Sequence, residues 1–215
     1  MLPPLFRRLA VAVAATATLG EILPAATPAP PPEVWQAGLD LSIEGAASLH
    51  GGRESGRTLH ALALARLAWN PPPANGRPVQ FNAYASALGL AGQGPTGRFA
   101  GDFLAASNIE GYESLRIYTC WLEAHAGDWH LRGGLLLADE EFAGTAVGGN
   151  FLNSTFGWPT FVSANTVNTG PAFFVSAAGL RLKRDFGANA YWQAGVYDGD
   201  TFDSPTGDGA VNRDG

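Results

Sequence analysis

Charge is scarce in this chain. Charged side chains make up 15% of its 215 residues, where about 25% is usual in a soluble domain. Thirteen basic groups stand against nineteen acidic ones, for a net charge of −6. With no clustered basic surface, nucleic acid is excluded as a partner. A single cysteine, Cys120, excludes an internal disulfide and any multi-cysteine metal site. Read alone, it is a small hydrophobe expected in the interior. The histidines at 50, 60, 125 and 130 show no metal-ligand spacing and no supporting cysteine or carboxylate cluster, so neither a metal nor a cofactor is expected. No segment beyond the N-terminus is apolar enough to cross a membrane as a helix.

What the chain does have begins with an export signal. Arg7 and Arg8 precede Leu9 to Gly20, an uncharged apolar run of signal-core length. Ala15-Thr16-Ala17 and the Leu23–Ala26 stretch offer cleavage sites. The expected organisation is a signal peptide over 1–26, a proline-rich linker over 27–33 and one domain over 34–215. The alternative for the N-terminus is a soluble helix.

From Trp35 to Glu44 apolar residues occupy every odd position, and polar residues or glycine every even one. That period of two belongs to a β-strand with one wet and one apolar face. Leu180-Arg181-Leu182-Lys183 repeats the scheme with full charges. Strands are predicted over 35–46, 57–69, 79–91, 113–125, 128–138, 178–186 and 190–197. Tight turns follow at Ala126-Gly127 and between Asp185 and Asn189. The 57–69 segment also reads as a helix, since it lacks β-branched residues after Thr58. Long loops are predicted over 92–112 and 139–176; loops of such length without periodicity are usually functional. The tryptophans at 35, 69, 121, 129 and 192, with Tyr197, fall near strand ends, as in an interfacial girdle. Ordinary packing in a soluble sandwich is the alternative.

The middle of the chain carries short ordered motifs. They include Ser107-Asn-Ile-Glu110, Leu115-Arg-Ile-Tyr118, Leu131-Arg-Gly-Gly134, Phe151-Leu-Asn-Ser-Thr-Phe-Gly-Trp-Pro159, Ser176-Ala-Ala-Gly-Leu-Arg-Leu182 and Gln193-Ala-Gly-Val-Tyr-Asp-Gly-Asp200. In this order and spacing the chain, from about residue 34 to its end, resembles the carbohydrate-selective porins of the OprB family. The resemblance implies an all-β fold: a transmembrane antiparallel β-barrel of roughly sixteen strands. It also implies passive diffusion of sugars across the outer membrane of a Gram-negative bacterium, without enzymatic chemistry. Seven strands, and an end at Asn212 to Gly215 without a terminal aromatic residue, match the N-terminal portion of such a barrel. The expected partners are monosaccharides or small oligosaccharides, outer-membrane lipid, and further copies of the chain in a homo-oligomer.

If the polar parity faces the lumen, Asp40, Glu44, Arg66, Tyr84, Arg116, Tyr118, Arg132, Arg181 and Lys183 line the pore. Arginine suits sugar hydroxyls because its planar fork carries five donors and keeps its charge. Tyr84 and Tyr118 would stack on sugar rings. The 139–176 loop would fold inward with Asp139, Glu140, Glu141, Asn150 and Asn153 as hydrogen-bonding groups. Read instead as a glycosidase carboxylate pair, Asp139-Glu140-Glu141 lacks an acid placed opposite. Gly92-Gln-Gly-Pro-Thr-Gly97 matches a dinucleotide glycine pattern but precedes no helical periodicity and holds Pro95. Two other classes compete with the porin: a soluble periplasmic carbohydrate-binding β-sandwich, and a surface barrel whose loops carry the function.

Overall fold

The computed structural model describes residues 34–73, 76–102, 105–145, 147–154, 157–158, 162, 166 and 170–201, and the backbone alone of 12–18. The proline-rich linker, most of the expected signal and the C-terminal segment from residue 202 lie outside the described residues.

Among the described residues the chain forms one antiparallel meander of eight strands in sequence order. They are β1 (Ala12–Thr18), β2 (Trp35–Ser48), β3 (Gly56–Trp69), β4 (Gln80–Gly92), β5 (Ser114–Ala126), β6 (Trp129–Leu136), β7 (Ala177–Asp185) and β8 (Tyr191–Tyr197). All seven predicted strands are present, including the 57–69 segment that also reads as a helix. Neighbouring strands decide that segment: β3 pairs along its full length with β2, from Trp35↔Trp69 to Ser48↔Gly56, and its backbone groups find partners on both sides. The added strand, β1, pairs with β2 from Ala12↔Ser48 to Thr18↔Ser42. It lies inside the stretch read as an export signal.

The sheet is inside out relative to a soluble domain. On one face Leu39, Leu59, Leu115 and Val196 are 75%, 67%, 85% and 77% exposed. On the other, Glu44, His60, Glu123 and Arg181 are buried. No second sheet covers the apolar face among the described residues, which excludes a sandwich core there. Trp35, Trp69, Phe81, Trp129, Phe186 and Trp192 are all at least partly exposed and gather at one rim. At that rim β5 and β6 are joined by Gly127-Asp128 alone, with Gly127 at φ 58°; the turn sits one residue later than expected. The long connections, 93–113 and 137–176, leave from the opposite rim.

One irregularity redirects the side chains of β5. Ala85 pairs with Cys120 and Ala87 with Ile117, so Ser86 alone faces both Tyr118 and Thr119. This is a β-bulge, one extra residue that shifts the alternation. Ser86 Oγ accepts the Thr119 N–H at 3.1 Å and lies 2.7 Å from Thr119 Oγ1, replacing the interrupted ladder. Beyond the bulge Trp121, Glu123 and His125 turn inward, and Cys120 turns outward. Two expectations are corrected here. Cys120 is exposed rather than interior. Trp121 sits mid-strand on the inner face, stacked on Tyr84 at 5.4 Å, and is no part of the girdle.

The long loops fold back over the inner face. After Leu136 the chain leaves the sheet, earlier than predicted, and forms a short helix α1 (Ala138–Phe142). Leu62, Leu88, Leu90, Tyr118 and Leu137 form a buried cluster beneath the loops, packed by Leu64, Ile109, Phe173 and Phe174. The inner face therefore carries an apolar patch as well as buried polar groups under the loops.

Candidate pore-lining site

Two polar clusters line the inner face, each joining strands to an inturned loop. In the first, Glu123 of β5, Arg132 of β6, Arg181 of β7 and Glu141 of α1 close a ring. Arg132 Nε donates to Glu123 Oε2 at 2.7 Å, and its Nη1 to Glu141 Oε1 at 2.5 Å. Arg181 Nη2 donates to Glu123 Oε2 at 2.5 Å. Arg181 Nε lies 3.0 Å from Glu141 Oε2 without hydrogen-bond geometry, so that contact is Coulombic. Each guanidinium meets both carboxylates, and Gln193 Nε2 of β8 donates to the Glu141 backbone oxygen at 2.6 Å. Buried ions persist when paired and hydrogen-bonded in this way.

α1 is thus pinned across the inner wall at Glu141. Its neighbour Glu140 keeps an open side. Burial against the wall, with the charges of Asp139 and Glu141 beside it, pushes the Glu140 carboxyl up to about 7. Burial also raises Asp139, although its Oδ2 accepts the Phe173 N–H at 2.9 Å.

The second cluster joins Glu44 of β2, His60 of β3 and Ser107 of the 93–113 loop. Ser107 Oγ donates to Glu44 Oε2 at 2.6 Å, and His60 Nε2 lies 2.9 Å from Ser107 Oγ and 3.2 Å from Glu44 Oε2. Serine and acid share one ring nitrogen, whereas a hydrolytic relay needs them on opposite nitrogens. The cluster is a tether. Asn108, the next residue, donates Nδ2 to Phe151 O at 3.0 Å, and its N–H bonds Leu152 O at 2.5 Å. Glu110 Oε1 accepts the Thr96 N–H at 2.9 Å. The Ser-Asn-Ile-Glu motif thus ties its own loop to the wall and the two long loops to each other.

The remaining predicted residues fall in different places. Asp40 and Arg66 form a half-exposed pair at 2.5 Å. Arg116 lies over the Phe174 ring at 5.6 Å, and its Nε donates to Ser114 Oγ at 3.2 Å. Lys183 Nζ is 2.8 Å from Asp185 Oδ1 and lies 5.0 Å from the centre of the Tyr191 ring. Tyr84 is half-buried beside Trp121, and Arg132 lies 3.9 Å from the Trp121 ring centre. Tyr118 is on the inner face but buried under the loop, edge-on to Phe173; it offers no open ring to a sugar. Asn150 and Asn153 are exposed on the loop, outside the ring. Of the Phe151–Pro159 motif, which includes Asn153, 151–154 and 157–158 are described.

Sequence reasoning missed Glu123, Trp121 and His125 on this face, because the bulge reverses their parity. It also missed His60 and Ser107, although Ser107 opens a motif that was legible.

A meander with an apolar outer band, an aromatic rim, and buried ion pairs under inturned loops defines the wall of a transmembrane β-barrel. The chain belongs to the OprB family of carbohydrate-selective porins, which it matches over residues 74–214. Its fold is similar to the high-pH structure of Pseudomonas putida OprB, with a TM-score of 0.64 and 18% sequence identity. The match covers 76% of this chain and 40% of that one. The chain therefore spans about 40% of the length of that solved structure. A search of the curated proteins found no match.

Proposed function

We propose that the chain supplies part of the wall and the constriction of an outer-membrane channel through which monosaccharides or small oligosaccharides diffuse. The observation that carries this reading is Glu141, held across the inner wall by Arg132 and Arg181. An inturned helix fixed to the wall narrows the passage, and it leaves Glu140, Arg132 and Tyr84 beside the remaining space. Fixed charges of both signs favour a neutral solute rich in hydroxyls, which exchanges hydrogen bonds with water for hydrogen bonds with the wall. Asp40, Glu44, Arg66, Arg116, Arg181 and Lys183 shape the field of that passage. Lipid contacts the Leu39–Leu115 face. The protein reaches the outer membrane by a signal within 1–26, whose removal would take β1 from the edge of β2.

Swelling of proteoliposomes containing the folded chain tests the reading. Sugar flux that exceeds that of protein-free vesicles is expected. Vesicles that hold inserted protein yet admit no sugar would overturn it and favour a surface barrel acting through its loops.

A further inference from the structure

The four histidines have no ligand spacing along the chain, but the β5–β6 hairpin creates one in space. His125 and His130 are directly opposite across the hairpin, with ring centres 4.4 Å apart. Glu123 lies two residues from His125, on the same inner face. One donor atom from each of Glu123, His125 and His130 lies within 4.8 Å of the others. His125 Nε2 is already 2.8 Å from Glu123 Oε1.

We propose that Glu123, His125 and His130 form a binding site for a divalent transition-metal ion of the zinc type. It would stand on the inner face near the aromatic rim. Two imidazoles with a carboxylate are the donors that zinc, copper and nickel prefer, and they are poorly matched to magnesium or calcium. Donors about 2.1 Å from a tetrahedral ion stand roughly 3.4 Å apart. Closing the widest gap therefore takes at most about 1.4 Å, within the range of a histidine χ2 rotation.

The surroundings are built for this. Glu123 divides its two oxygens: Oε2 takes both arginines, which leaves Oε1 to the histidines. Arg132 and Arg181 then hold the ligand carboxylate in place from behind. Asp185 of β7 lies 2.9 Å from His130 Nε2, and Asn82 Nδ2 of β4 lies 3.3 Å from His125 Nε2. Either side chain can turn an oxygen toward the ion as a fourth donor. The nearby charges balance before the ion arrives, with Glu123, Glu141 and Asp185 against Arg132, Arg181 and Lys183.

The site is independent of sugar passage, and its test does not use transport. The folded chain in detergent is titrated with zinc chloride by calorimetry. One saturable zinc per chain is expected. His125→Gln and His130→Gln should each weaken binding by about 10–100-fold, while His50→Gln, at the opposite rim, leaves it unchanged. Copper bound to the parent chain should show coupling to two nitrogens by electron paramagnetic resonance. Urea unfolding of each variant confirms that the barrel wall is intact. Absence of saturation below millimolar zinc, or equal affinity in the folded His125→Gln and His130→Gln variants, would overturn the site.

Discussion

Arg181 and Glu123 are hydrogen-bonded at 2.5 Å although their strands do not touch. β6 lies between them, and the contact crosses over it beside Arg132. The pair therefore joins three strands on their inner face, and Glu141 brings the loop helix to the same point. Replacing Glu123 with Gln leaves two guanidiniums sharing one carboxylate. A loss of about 3 kcal/mol is expected, read from urea unfolding in detergent. A double-mutant cycle with Arg181→Met should show strong coupling between the two sites.

Arg132 joins the wall to the inturned helix and lies over Trp121. Arg132→Gln should loosen the Glu141 end of α1, which Arg181 and Gln193 still hold, and change the passage. Planar-bilayer conductance is expected to rise and sugar discrimination to fall, whereas Arg116→Gln, packed on Phe174, should alter selectivity less. Unchanged conductance and discrimination in Arg132→Gln would reduce that arginine to a wall residue.

Glu140 titrates near neutrality in the folded protein. It binds more protons folded than unfolded between its ordinary pKa and about 7, so folded-state stability rises as pH falls through that window and declines as pH rises. The passage also gains negative charge as pH rises through 7. Reversal potentials in a salt gradient should shift toward cation preference between pH 5.5 and pH 8. Glu140→Gln should remove most of that shift.

On the outer face, Leu41→Arg should cost about 2–4 kcal/mol where the residue lies at mid-membrane, and Leu182→Arg should behave alike. Ser42→Arg, one residue away and facing inward, should insert normally. Folding yield into lipid vesicles measures both. Equal yields for Leu41→Arg and Ser42→Arg would contradict the assignment of the two faces.

Ser107 donates to a buried carboxylate and lies against a buried histidine. Ser107→Ala removes a partner from Glu44 and should cost about 1–3 kcal/mol. The 93–113 loop should also become easier to cleave with protease while the strands remain protected.

Much of the strand pattern was legible because a sheet between lipid and water imposes a period of two, which survives in Trp35–Glu44 and Leu180–Lys183 without knowledge of any partner. The aromatic rim was legible in part for the same reason: strand ends reach the interface, and tryptophan marks them. Trp121 broke that reading. Its position depends on the two-against-one pairing of Tyr118 and Thr119 with Ser86, and no local signal in β5 announces an unpaired residue. The same slip hid Glu123 and His125, and it turns outward Cys120, which its small apolar side chain alone would put inside.

The alternation of side chains by itself determined that this chain is a sheet with one apolar and one polar face, because each residue's side is set by its own backbone. Short-range chemistry also placed the turns and the long loops. Only the tertiary structure decided what meets on the polar face. Glu123, Arg132, Glu141 and Arg181 come from three strands and a helix, and strand register together with loop return brings them into hydrogen-bond range. Contacts across a sheet depend on which residues lie opposite, and a bulge of one residue is enough to change them all.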